Sequence, residues 1–133
     1  MVSPAAAVRG IMSTALIGMG TMHVVPRMTR RMAAIIPPRL RGRGLLSPKS
    51  LVIYSGACEI AGALGLLHPR TRVAAGSALI VFYAAVFPAN AYAAKHPERF
   101  GAVAVPFWPR LAGQVALIGL TAFAAFPRAR RPR

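Results

Sequence analysis

The chain has 133 residues, 56% of them hydrophobic, with a mean hydropathy of +0.52, which is the length of one domain and too apolar for an ordinary soluble one. Seventeen Lys and Arg stand against two acids, Glu59 and Glu98, for a formal net charge of +15, so paired-carboxylate glycosidase sites, two-metal sites and calcium loops are hard to build here. The single cysteine, Cys58, excludes an internal disulfide and a multi-thiolate metal site.

A charge this basic raises nucleic acid as a partner, but the cations fall between long uncharged stretches rather than along the polar faces of helices or strands, so no nucleic-acid partner is expected. Four apolar runs, 10–26, 51–67, 73–94 and 111–126, hold one carboxylate, Glu59, and no Lys or Arg. At the helical rise they are about 24–33 Å long, against a hydrocarbon core of about 30 Å. They also lack the polar stripe of period 3.6 that a soluble bundle carries. The sequence therefore predicts an all-α protein: an up-down antiparallel bundle of four transmembrane helices over about 8–26, 50–67, 73–94 and 110–126. The expected setting is a single integral membrane domain, residues 1–133, in the cell membrane as a multi-pass protein. The Lys and Arg residues divide too evenly between the two sides to set its orientation.

The first run is expected to be a retained helix rather than a cleaved signal peptide, because no small-x-small site follows it promptly. After it, Met28, Met32, Ala33, Ile35 and Ile36 interleave with Arg27, Arg30 and Arg31. That mixture predicts an amphipathic segment lying in the headgroup region, halted by Pro37 and Pro38; a solvated basic loop is the alternative. The short link 68–72 makes the second and third helices a hairpin. Pro88 lies inside the third run and frees the carbonyl of Ala84, so a kink is expected and a neighbour must supply a donor there. The connection before the fourth run carries Phe100, Phe107 and Trp108, a composition suited to the interface belt. The tail 127–133 is basic.

Helix association in lipid depends on small residues and interhelical hydrogen bonds. Gly10, Thr14 and Gly18, then Ala57, Ala61 and Gly65, then Ala85, Ala89 and Ala93 recur at spacing four, and each set forms a candidate contact seam. The most informative residue is Glu59, at the middle of the second run, where a carboxylate costs about 2.5–3.5 kcal/mol to insert. In an alternating bundle His23, Tyr54, Ser55, Asn90 and Gln114 share one half of the bilayer, with Glu59 and Tyr83 below them. His23, Ser55, Tyr83, Asn90 and Gln114 are thus the expected wall of a polar pocket, with Glu59 as the proton-exchanging group. Tyr83 is placed to donate to Glu59. His23 lies about 7 Å above Glu59 by helical rise, which argues against direct contact.

These residues also carry a resemblance. His23-Val24-Val25-Pro26, Ser55-Gly56-Ala57-Cys58-Glu59-Ile60, Val86-Phe87-Pro88-Ala89-Asn90 and Arg110-Leu111 with Gln114 resemble the DoxX family of small four-helix membrane proteins. The resemblance implies a four-helix integral membrane protein in a family where some members are subunits of quinone-linked oxidoreductases. The expectation is an accessory or anchoring subunit of a membrane redox system, with the bilayer and membrane redox proteins as partners, a quinone as candidate cofactor, no metal, and an oligomer as a possible assembly. A small proton-coupled carrier and a purely structural scaffold are the alternatives. No nucleotide loop or haem attachment motif is present, so the chain is not expected to be an autonomous enzyme.

Overall fold

The computed structural model describes residues 1–101 and 104–126, and all of their regular structure is helical. The elements are α1 (Pro4–Met22), α2 (Pro26–Ala34), α3 (Pro48–Leu67), α4 (Arg72–Ala94), α5 (Pro97–Phe100) and α6 (Phe107–Ala125). Two 3-10 turns, Pro38–Leu40 and Gly44–Leu46, link α2 to α3. The basic tail 127–133 lies outside the described residues.

Local chemistry sets these boundaries. α1, α2, α3 and α5 each begin with a proline in the first turn, where its missing N–H is no loss and its fixed φ favours the helix. The Ser3 and Ser47 hydroxyls accept from the backbone N–H of Ala6 and Ser50, satisfying donors that have no partner inside the helix. The first helix differs from expectation: it starts at Pro4 and ends at Met22 rather than reaching Pro26. Pro26 cannot extend it and instead opens α2. Thr29 closes the corner between them, its hydroxyl donating to the carbonyls of His23 and Val25. α2 is the amphipathic segment: Arg27, Arg30 and Arg31 are exposed while Thr29, and then Ile35 and Ile36, are buried.

The long helices pack α1 on α3, α3 on α4, α4 on α6 and α6 back on α1, with α2 laid against α3. Neighbours run antiparallel. The end of α1 meets the start of α3 where Gly20 faces Gly56, and the Ser13 hydroxyl donates to the Ala63 carbonyl nearer the other end. Arg9 closes the ring by donating to the Ala124 carbonyl of α6 at 2.9 Å. The core is narrow, centred on Leu16, Ala63, Leu66, Leu79, Tyr83 and Ala125.

Outward, the surface is apolar. Ile11, Val81 and Val115 are 71%, 69% and 62% exposed. α1, α3 and α4 are long and apolar enough to cross a membrane. α6, of 19 residues, falls outside that set because Arg110 and Gln114 occupy its early turns. The outward apolar faces suit a lipid bilayer, in which a side chain such as Val81 loses nothing by being on the surface.

Two of the small-residue seams correct the expectation. Space is open around Gly10 and Gly18, and Thr14, Ala57 and Ala61 are exposed, while Gly65 at the end of the second seam packs against Ala75 of α4. The α1–α3 contact uses Ser13, Leu16 and Gly20 against Gly56 and Ala63 instead. Small residues lie on several faces of these helices, and the face is selected where a hydroxyl finds an interhelical acceptor and two glycines oppose each other.

Candidate functional site

His23 is the residue after α1, its backbone N–H bonded to the Gly20 and Thr21 carbonyls. It is 8% exposed. Gly56 of α3 lies directly against it: a Cβ on Gly56 would stand 2.7 Å from both the Gly20 carbonyl oxygen and His23 Cβ, closer than real Cβ contacts allow. The absence of that carbon is what lets the imidazole settle onto α3. Glu59 follows Gly56 by three residues on the same face, about 4.5 Å along the axis.

The result is direct proximity. His23 Nδ1 and Glu59 Oε2 are 3.6 Å apart, with the two side chains 10% and 13% exposed. This corrects the estimate from helical rise. That estimate treated α1 as continuing through His23, whereas the chain turns after Met22 and brings the ring over Gly56. Nδ1 also lies 2.8 Å from the Met19 carbonyl oxygen. A carbonyl only accepts, so this bond needs a proton on Nδ1. At 3.6 Å the carboxylate is within ion-pair range of that N–H but beyond hydrogen-bond range. Glu59 Oε2 is buried and has no hydrogen-bond partner among the described residues.

The other expected pocket residues divide between two helix pairs. Tyr83 is 3% exposed, and its buried hydroxyl lies beside the Thr121 side chain of α6 without reaching regular hydrogen-bond geometry. The expected bond from Tyr83 to Glu59 is therefore not formed, although the two groups lie within electrostatic reach of each other. Thr121, its neighbour on α6, donates its own hydroxyl proton to Leu117. Gln114 reaches from α6 to α4 and donates through Nε2 to the Tyr83 carbonyl, one residue before the carbonyl that Pro88 frees. Asn90 Oδ1 accepts from an Arg110 guanidinium nitrogen at 2.6 Å. Ser55 does not join either group: its hydroxyl donates to Val52 in its own helix at 2.7 Å, the local bond a helical serine makes when no partner crosses to it.

Arg110 was missed as a polar partner, since it reads as a loop cation ahead of the fourth run. Its spacing of four from Gln114 places both on one helix face, and that was the available signal. Ser13 and Thr29 were missed for a different reason: nothing local marks which hydroxyl will find an acceptor on another helix. Among the described residues, no three His, Cys, Asp or Glu side chains are grouped to hold a metal ion.

The arrangement sets a buried carboxylate beside a buried imidazole on one helix pair, and a bonded lattice of Arg, Asn and Gln on the other. The first can hold and exchange a proton, while the second ties helices together. No curated protein and no solved structure matches the chain. One family model, Domain of unknown function (DUF8561), matches residues 12–130, most of the sequence, and the chain belongs to that family.

Proposed function

We propose that this chain is a multi-pass protein of the cell membrane in which α1, α3, α4 and α6 all cross the bilayer, and that it serves as an accessory subunit of a membrane redox system. The observation that carries the reading is Glu59 Oε2, buried 3.6 Å from His23 Nδ1 with no hydrogen bond among the described residues. A carboxyl group inside a membrane domain is costly. One left without a hydrogen bond is better suited to exchanging a proton than to stabilising the fold. The span of α6 is supported by its polar residues, since Arg110 and Gln114 both direct donors onto α4 rather than outward.

The redox context is suggested by the resemblance to the DoxX family carried by the segments around Glu59 and Asn90. The donor chemistry suits a quinone headgroup: Glu59 Oε2 is buried without a hydrogen bond among the described residues, the Tyr83 hydroxyl is buried beside Thr121, and a carboxylic acid and a phenol can both donate to a carbonyl oxygen. A bound quinone would supply the electron acceptance. Glu59 would hold and release the proton at Oε2, His23 would stabilise the carboxylate once the proton has left, and Tyr83 would orient the headgroup.

The test is purification of the full chain from native membranes in mild detergent, with co-purifying quinone and proteins identified together. Wild type is expected to retain quinone and an oxidoreductase partner. Glu59→Leu, which removes the donor, is expected to lower quinone retention about tenfold, the upper scale of a lost neutral hydrogen bond, with helical circular dichroism unchanged. Retention by both Glu59→Gln and Glu59→Leu at the wild-type level overturns the reading. Proteoliposome proton flux that requires Glu59 in the absence of any redox partner points to the carrier alternative instead.

A further inference from the structure

A cavity of about 540 Å³ lies between α2 and the first turns of α3 and is lined by Val24, Pro26, Thr29, Arg30, Ala33, Lys49 and Ile53. Two of these side chains are cations and none is acidic. The chain has only two carboxylates: Glu59 faces His23, and Glu98 lies 3.4 Å from His96. Among the described residues neither forms an ion pair with Arg30 or Lys49. The remaining polar lining group, Thr29, directs its hydroxyl proton to the His23 and Val25 carbonyls. Within this lining, a negatively charged occupant would find its counter-ions in Arg30 and Lys49.

The rest of the lining is apolar and graded with depth. Lys49 stands in the first turn of α3 and Ile53 one turn further along, about 6 Å down the axis. Val24 and Ile53 are 61% and 37% exposed, giving an apolar surface that continues toward the outward face of α3. A charged mouth above an apolar floor matches an amphiphile rather than a free ion. On the opposite side of the mouth, α2 presents Arg27 and Arg31 to the surroundings, and Leu45 and Leu46 of the following turn are 76% and 63% exposed, as expected of a segment lying in the headgroup layer.

We infer that the groove between α2 and α3 is a binding site for an anionic phospholipid, whose phosphate sits between Arg30 and Lys49 and whose acyl chain runs along Val24 and Ile53. The inference rests on the membrane reading above and adds a defined lipid class and position to it. Occupancy would pin α2 to α3 beside the corner that carries His23, so the site would couple lipid composition to the geometry of the His23–Glu59 pair.

The experiment is native mass spectrometry of the full chain taken from mixed micelles of phosphatidylcholine and phosphatidylglycerol. Wild type is expected to retain phosphatidylglycerol in preference to phosphatidylcholine. Removing both cations, as R30A with K49A, is expected to lower that retention about thirtyfold, the effect of two basic residues at a lipid surface. The exchange R30K with K49R should restore most of it. A control pair, R39A with R43A, removes the same charge from the connecting segment and should lower retention less than threefold. Equal loss in the two alanine pairs, or no loss in either, overturns the proposal. Excess inorganic phosphate that displaces the lipid completely, and binds as well to R30K with K49R, shows a free-phosphate site and overturns it too. Protein that remains in the supernatant after ultracentrifugation without detergent removes the membrane reading itself. A membrane-bound R30A/K49A protein with full phosphatidylglycerol retention removes only the lipid site.

Discussion

The α1–α3 and α4–α6 contacts are both antiparallel and both contain polar side chains, yet they treat those side chains in opposite ways. Across α4–α6, Gln114 and Arg110 reach over to the Tyr83 carbonyl and to Asn90. Across α1–α3 the backbones themselves approach, Gly20 against Gly56, and the acid set into that seam has its Oε2 buried without a hydrogen bond among the described residues. A bonded polar side chain between helices acts as a fastener, whereas an unbonded one is tolerated only where the surrounding structure holds it in place. The difference sets a buried carboxylate beside a buried imidazole in the α1–α3 seam, against interhelical hydrogen bonds that tie α4 to α6.

The strongest way to break this contrast is at the glycine seam. A Cβ at Gly56 would meet the Gly20 carbonyl oxygen and His23 Cβ at 2.7 Å, and one at Gly20 would meet Gly56 oxygen and Ile60 Cγ1 at the same distance. Backbone cannot move aside as a flexible side chain can, so Gly56→Val must push α1 from α3 and lift His23 from Glu59. The expected loss is about 1–3 kcal/mol, read as a lowered thermal midpoint by circular dichroism in detergent, and accompanied by loss of whatever activity depends on Glu59. An unchanged midpoint would mean that the two helices do not meet through Gly20 and Gly56.

On the other side, Gln114→Leu removes one fastener while preserving an apolar surface for α6. Interhelical hydrogen bonds in membranes average about 0.6 kcal/mol and reach about 1.7. Because Gln114 bonds a carbonyl next to the one that Pro88 deprives of its helical partner, the upper part of that range is expected here. Denaturant titration in mixed micelles gives the value. Since the bond holds the Tyr83 backbone but does not touch Glu59, Gln114→Leu should lower quinone retention less than Glu59→Leu does, which ranks tie against proton chemistry in one protein.

How much of this contrast could be read from the sequence depends on which physical scale sets each feature. Helix positions were legible because apolar run length and proline placement act locally: the runs near 50–67 and 73–94 become α3 and α4 with small shifts at their starts. Glu59 was legible because it is the single carboxylate in those runs. The identity of its neighbour was not. His23 reaches it only because α1 stops at Met22 and because Gly20 and Gly56 oppose each other, and both depend on how two helices meet. The polar residues of α4 and α6 were recognised as a group, but not that they would satisfy one another through Arg110 rather than turn toward Glu59. A glycine at spacing four is equally ambiguous until the facing helix selects a side.

That ambiguity supplies the smallest and sharpest test. Gly18 belongs to the sequence-legible stripe of α1, but the space around it is open and it is exposed, while Gly20, two residues on, is pressed against α3. Alanine has a helix propensity better than glycine by about 0.8–1.0 kcal/mol in water. With no neighbour to displace, Gly18→Ala should leave the thermal midpoint unchanged or raise it slightly, whereas Gly20→Ala should lower it. The pair differs by the same single methyl group in the same helix, so the sign of the difference reports the face that α1 turns toward α3. Destabilisation by Gly18→Ala with tolerance of Gly20→Ala would place the stripe of Gly10, Thr14 and Gly18 in the seam, and would separate His23 from Glu59.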